Sequence, residues 1–345
     1  MKRRELTSAI KDEFDPAKLT YPCMGFYKYD GVRAGHLHGY FHGRSLDPFA
    51  NKALNAKFAD EIYHGLDGEI TLAGALTDTA IRAMIAAGTV VGDAKSSLCS
   101  LTTGLTNRKD LKKGETELPS NVVWNLFDFL HEEVVELTYL ERYQALVAYV
   151  ETAKPAHVRV APFEWIHTEE EALAWVAKCL ALKLEGAIFR NPRAKHKSGR
   201  ATATAGDFWR YKPKSDKDAV VIGFEAAMAN NNEATINSRG RTERSAHKEN
   251  KVAKATIGKF IVYMIDTDTV ETIGAGTMDH KEREECFANP GLIVGHPCKV
   301  QSLDTGTKTS LRQAFYKERR SWADLEKLTP EQAARVTELL EEHAR

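Results

Sequence analysis

The segment that most narrows the fold is Lys28-Tyr29-Asp30-Gly31-Val32-Arg33, set between two β-like runs, MGFYKYD and GVRAGHLHG. A strand ending in lysine, a glycine turn and a strand opening with arginine bring an amine beside a guanidinium. That pair suits a bound phosphate. Lysine is normally protonated near pKa 10.4 and is then no nucleophile. Neighbouring cations destabilise an ammonium and favour the free amine. By itself the string also fits an ordinary hairpin turn, so the rest of the chain has to decide.

Further β-like runs follow: LDGEITLAG, VVWNLFDFL, VRVAPFEWI and GAIFRN. Residues 50–63 and 78–87 read as short helices, and 138–152 as a helix with apolar spacing near 3.6. Thr168, with Glu171 three residues later, predicts a capping box ahead of ALAWVAKCLAL. The stretch 88–120, rich in Gly, Ser, Thr and Lys, reads as irregular loops. This order lacks the rhythm of a doubly wound sheet, so the fold class is α+β. After Lys214 the texture changes. AVVIGFEAAM, KFIVYMID, VETIGAGTM and HPCKVQSL predict short strands of a small β-barrel. The polar, basic stretch 229–253 reads as a long mobile loop. PEQAARVTELLEEHAR predicts an acidic amphipathic helix with Pro330 in its first turn. The expected domains are 1–214, 215–328 and a terminal helix at 329–345, consistent with two domains in 345 residues.

Composition excludes several classes. No stretch approaches the ~18 apolar residues that span a bilayer, and MKRRELTSAIKDEFD is no secretory signal. The five cysteines never form Cys-x-x-Cys, which argues against a disulfide framework or structural zinc and for a reducing, cytoplasmic setting. Lys and Arg number 48 against 48 Asp and Glu, a balance that speaks against nucleic acid only if charge is evenly spread. It is not. Residues 190–217, 239–259 and 308–320 carry local nets of +7, +5 and +4. Three such windows point to a phosphate-binding face.

The hexapeptide resembles the nucleotidyl-transfer motif Lys-x-Asp-Gly-x-Arg of ATP-dependent DNA ligases and mRNA capping enzymes. Other elements of that superfamily follow in order. Gly43-Arg44-Ser45-Leu46, with Asp47 to Asn51, is similar to the element whose arginine reaches the ribose and the nick. Leu66-Asp67-Gly68-Glu69-Ile70 resembles the Asp-Gly-Glu element, and Asn125-Leu126-Phe127-Asp128-Phe129 the one whose ring stacks on the purine. Glu185-Gly186-Ala187-Ile188-Phe189-Arg190 and Trp209-Arg210-Tyr211-Lys212-Pro213-Lys214 resemble the Glu-Gly and Lys-x-Lys elements. Ser310-Leu311-Arg312 through Arg319 and Arg320 resembles the last motif. The likeness covers roughly residues 20–320 and favours the DNA ligase family.

The resemblance implies a nucleotidyltransferase (adenylation) domain of antiparallel sheets with helices, followed by an OB-fold. Lys28 is then the nucleophile toward ATP, with Arg33, Lys212 and Lys214 on the phosphates, Phe127 on the base and Arg44 on the sugar or nick. Glu69 and Glu185 are candidates for ribose contact or Mg²⁺, while Arg312, Arg319 and Arg320 face the leaving pyrophosphate, with the last two unranked. Phe26 departs from the pattern, since many ligases place Glu there to read the adenine amino group. The partner implied is nicked double-stranded DNA, met as a monomer during replication, repair or recombination. With 27 residues before Lys28, the chain is expected to be of the compact bacteriophage type, in a bacterial or phage-infected cell. The alternatives are an RNA ligase or capping-type nucleotidyltransferase, and a nucleic-acid binder that lost activity.

Overall fold

The computed structural model describes residues 4–11, 13–72, 98–113, 115–182, 184–303, 311–325 and 328–343. The helix expected at 78–87 lies outside them. The chain divides into two units, one of residues 1–213 with Ser238–Arg241, the other of residues 214–237 with 242–345.

The first unit opens with β1 (Thr7–Ser8), β2 (Cys23–Tyr27), β3 (Val32–Leu37), β4 (Tyr40–Gly43) and β5 (Leu66–Thr71). It continues with β6 (Val123–Phe129), β7 (Val158–Val160), β8 (Phe163–Ile166), β9 (Ala187–Arg190), β10 (Gly199–Arg200) and β11 (Phe208–Tyr211). One sheet has the order β11-β9-β2-β8 and a second β4-β3-β5-β6-β7. Pairing within these sheets is antiparallel except at β6–β7. All five residues of β2 are buried because both its faces are covered. Met24 and Phe26 pack toward Tyr139 and Tyr143, while Cys23 and Tyr27 pack toward Trp175. That alternation is what a two-sided strand requires.

The helix Tyr139–Ala153 begins in a full capping box between Thr138 and Glu141, and buries Tyr139, Arg142, Tyr143 and Leu146. Those positions follow i, i+3, i+4, i+7 and make one face. The helix Glu169–Ala181 also starts at its expected cap, Thr168. There, however, the Glu171 carboxylate accepts from His167 N–H at 2.7 Å, so the reciprocal bond is displaced by one residue. The helix expected across 50–63 is two pieces, Lys52–Lys57 and a 3-10 turn at Glu61–Tyr63. Within 88–120, Leu98–Asn107 is helical rather than irregular.

The second unit contains β12 (Lys214–Asn230), β13 (Ala234–Ile236), β14 (Thr242–Arg244), β15 (Lys251–Met264), β16 (Thr269–Gly274), β17 (Pro297–Leu303) and β18 (Arg312–Arg319). Five of these close into a barrel, β12-β15-β16-β18-β17, the OB-fold arrangement. Its first two long strands have 17 and 14 residues, far longer than their apolar centres suggest. Their extensions reach into the stretch read as a mobile loop, and β13 and β14 pair there as a hairpin. Every residue of that hairpin is exposed, which is why no apolar pattern marks it. A helix at His280–Ala288 was also unannounced by the sequence. The terminal helix Pro330–His343 buries Val336 and Leu339 against Val220, Ile222 and Tyr263. It is therefore part of the barrel unit, its acidic side outward. Among the described residues no helix is long and apolar enough to cross a membrane.

Candidate active site

Lys28 directly follows β2, and its backbone N–H donates to the Gly186 carbonyl at 3.2 Å. Gly186 has φ +149°, and a Cβ there would stand 2.1 Å from the Tyr211 carbonyl oxygen. Only glycine lets the start of β9 close on the end of β11 in this way. The closure sets Glu185 between two ammoniums. Its carboxylate is ion-paired with both Lys28 and Lys212. Burial opposes ionisation of Glu185, but the two lysine charges outweigh it and hold the carboxyl below the usual range. Burial, then repulsion from Lys28, lowers Lys212 in spite of Glu185.

The second sheet supplies the opposite chemistry. Arg33 on β3 and Glu69 on β5 are direct cross-strand partners, and Asp67 shares their face two residues away. Arg33 reaches diagonally to Asp67: Nε donates to Oδ1 at 2.6 Å and Nη2 to Oδ2 at 2.7 Å. Nη2 also donates to the Thr7 carbonyl at 3.2 Å. Arg33 thus has two nitrogens committed to the protein, and Asp67, fully buried, is a candidate residue that the motif alone did not single out. Among the described residues Glu69 gains no such partner. Burial pushes its carboxyl up to about 7, although Lys28 and Arg33 pull the other way.

Phe127 lies on β6, half-buried, with the Arg33 guanidinium 4.4 Å from its ring centroid. Its backbone carbonyl accepts from the Tyr139 hydroxyl at 2.7 Å. The next residue, Asp128, is 1% exposed and anchors a buried network. Arg142 donates to it at 2.8 and 3.1 Å, and Arg190 at 3.2 Å. Arg190 also lies 3.9 Å over the Tyr139 ring and 4.3 Å over that of Phe208. One carboxylate therefore ties the strand of Phe127 to the strand that follows Glu185. Arg142 carried no motif signal; its place on the buried helix face was the only clue.

Arg44 is exposed on the turn after β4. Burial of its inner part and the charges of Arg33 and Arg200 lower it. Arg210 is lowered by burial and by Arg200 and Arg44. Mutually repelling guanidiniums suit an anion. Arg200 and Arg210 belong to this group, and the basic window 190–217 was their signal in the sequence.

The remaining candidates lie in the second unit. Lys214 is exposed as the first residue of β12. Arg312 opens β18. Arg320 pairs with Asp218 at 3.4 Å, and Arg319, 44% exposed at its side chain, is 3.9 Å from Glu282. Ser310, the first residue of the last motif, is outside the described residues.

The family model for the ATP dependent DNA ligase domain matches residues 10–212, the span that holds Lys28, Glu69, Phe127, Glu185 and Lys212. The chain belongs to the ATP-dependent DNA ligase family. It is an enzyme that uses ATP and Mg²⁺ and acts on DNA. Among solved structures, this ligase is similar to a Lig E DNA ligase described as binding DNA with a minimal scaffold. The two share 17% identity over 92% of this chain and 99% of that one, with a TM-score of 0.60. Chlorella virus DNA ligase-adenylate shares 19% identity over 92% and 99%, TM-score 0.46. The ATP complex of bacteriophage T7 ligase shares 15% over 92% and 98%, TM-score 0.40. Of these three, the Lig E likeness bears on the fold, and it agrees with an adenylation domain followed by an OB-fold. Among curated proteins none matches the sequence. The ligase offers Mg²⁺ hard carboxylate oxygens at Glu69 and Glu185, the donor type that ion prefers.

Proposed function

We propose that the ligase seals nicks in duplex DNA by passing an adenylate from ATP through Lys28. The observation that carries this reading is the cluster of Lys28, Glu185 and Lys212, with Glu69 beside it. The Lys28 amine attacks the α-phosphate of ATP; an N–P bond forms and the bond to pyrophosphate breaks. An oxygen of the nick's 5′-phosphate then attacks that phosphorus, breaking the N–P bond and freeing Lys28, and the 3′-hydroxyl attacks the activated 5′-phosphate and displaces AMP. Chemistry of this type depends on in-line positioning and charge neutralisation.

Lys212 neutralises the α-phosphate. When ATP enters, its oxyanions replace the Glu185 carboxylate as counter-charge to the two lysines. Until then the ionised Glu185 carboxylate orients both amines, whereas Glu69 can hold or release a proton at neutral pH. Bound Mg²⁺ supplies further neutralisation of the phosphates, and Glu69 and Glu185 are the residues to hold it, directly or through water. Phe127, half-buried, is assigned to the purine, and the Arg33–Asp67 clasp fixes its ring. Arg44, with Arg200 and Arg210, holds a DNA phosphate at the nick. Lys214, Arg312, Arg319 and Arg320 are assigned to triphosphate or DNA backbone, and Arg319 is the more accessible of the last pair. The reading includes a monomeric enzyme in the cytoplasm of a bacterial or phage-infected cell; the buried thiols of Cys23, Cys179, Cys286 and Cys298 support a reducing setting.

The test is sealing of a singly nicked duplex with ATP and Mg²⁺, beside the same nick built in RNA and beside GTP. Joining of the DNA nick with ATP is expected. Preferential joining of RNA, or labelling by GTP alone, would replace the reading with an RNA ligase or a capping-type enzyme.

A further inference from the structure

Two histidines and a carboxylate converge outside the Lys28 cluster, where β5 begins and β6 ends. His64 stands two residues before β5, and His131 two residues after β6. The backbone clamps them together. Gly65 N–H donates to the His36 carbonyl at 2.8 Å, and the Gly65 carbonyl accepts from Leu130 N–H at 2.6 Å. Gly65 has φ +80°, and a Cβ there would stand 2.6 Å from the His131 nitrogen. Glycine is what lets the two segments touch.

His64, His131 and Glu132 each present one ligating atom, and the three atoms lie within 4.8 Å of one another. The two imidazoles meet edge to face at 5.3 Å. His64 Nε2 is 2.7 Å from Glu132 Oε2, while Arg4 Nη1 stands 3.5 Å from the other carboxylate oxygen. Behind the His64 ring, Nδ1 is buried with no hydrogen-bond partner, and Glu61 Oε1 is 3.8 Å from it. The Glu133 N–H donates to His131 Nδ1 at 3.3 Å, a long bond that ring rotation can exchange.

We propose that His64, His131 and Glu132 form a site for one divalent transition-metal ion of the zinc class. Two imidazoles and a carboxylate are the donors such ions take, with water completing a tetrahedron. Mg²⁺ and Ca²⁺ prefer oxygen alone. Ligand atoms in a tetrahedral zinc site stand roughly 3.3 Å apart, so the side chains must close a spread of up to 4.8 Å when the ion binds. Glu61 then accepts from His64 Nδ1–H and fixes its tautomer, the carboxylate–histidine–metal relay seen at many such sites. Arg4 keeps the Glu132 carboxylate aimed. The ion staples the lead-in of β5, which carries Asp67 and Glu69, to the exit of β6, which carries Phe127 and Asp128.

Co²⁺ is a spectroscopic probe for this site, titrated into the full chain with excess Mg²⁺ occupying oxygen sites. The readouts are visible absorption and thermal midpoint. One Co²⁺ per chain with a low-coordinate spectrum is expected, together with a raised midpoint. His131→Ala should abolish the spectrum while Lys28 still accepts adenylate. Glu61→Gln should weaken binding about 10-fold, and His280→Ala, at an exposed histidine elsewhere, should change nothing. If His131→Ala proves unfolded, Glu132→Gln carries the test, because that side chain is 61% exposed. No Co²⁺ spectrum in the wild type under excess Mg²⁺, or an unchanged one in both ligand variants, would overturn the site.

Discussion

Two carboxylates of the adenylation unit lie within reach of the same lysine yet respond to it in opposite ways. Glu185, at the start of β9, sits between Lys28 and Lys212 and is held below the ordinary carboxylate range. Glu69, on the neighbouring sheet, feels Lys28 and Arg33 but is pushed up to about 7. Burial acts on both in the same direction. The difference is direct contact: Glu185 is ion-paired twice, whereas the guanidinium opposite Glu69 is turned aside to Asp67. One carboxylate is thereby a fixed counter-charge, and the other stays able to exchange a proton at neutral pH.

The strongest way to break the contrast is to part the sheets that carry it. Asp128→Ala leaves Arg142 and Arg190 as buried, uncompensated charges, and should cost about 3–5 kcal/mol in urea unfolding. Glu185→Gln comes next. Loss of the shared counter-charge should slow Lys28 adenylation by about 100-fold, with the loss in rate rather than in ATP affinity. An unchanged single-turnover rate would show that the pairing is structural only.

Stability against pH sharpens the comparison further, because the same isosteric change should act with opposite sign. The folded pKa of Glu69 lies above its ordinary 4.5, so between pH 4.5 and about 7 the native state binds more protons than the unfolded chain. This group therefore costs stability as pH rises through that window. Glu69→Gln should stabilise by roughly 3 kcal/mol at pH 8 and by nothing near pH 4, measured by urea unfolding. Glu185 has a depressed folded pKa, so its contribution is present above the ordinary value and is lost as pH falls through the depressed one. Glu185→Gln should destabilise at pH 8, and the deficit should shrink in acid. Equal signs for the two variants would erase the distinction. The smallest effect is expected at Phe127. Replacement by Leu keeps an apolar wall but removes the π-face, and should weaken ATP binding by about 3- to 10-fold.

Much of the candidate cluster was legible because its residues lie in short strings on strands or within two residues of one, where sequence neighbours become spatial neighbours. Lys28, Glu69, Phe127, Glu185 and Lys212 were all read that way. The clasp between Arg33 and Asp67 was not, because it depends on the register of β3 against β5. Arg142 was hidden inside a helical apolar pattern, and its partner Asp128 looked like an ordinary motif flank. The barrel class was visible in its apolar strand centres, but the hairpin of β13 and β14 was not. Exposed on every residue, it has no periodicity to read, and its sequence has the character of a loop. The helix Leu98–Asn107 was missed for a related reason, since Thr, Ser and Gly favour turns as readily as helix.

The contrast between the two carboxylates matters only if Lys28 is the atom that bonds to phosphorus. Incubation with ATP labelled at its α-phosphate, in Mg²⁺ and without DNA, tests this most directly. The wild-type chain should carry one acid-labile adenylate that maps to Lys28, and Lys28→Ala should carry none. Label retained in Lys28→Ala, or mapped to Lys212 in the wild type, would contradict the assignment.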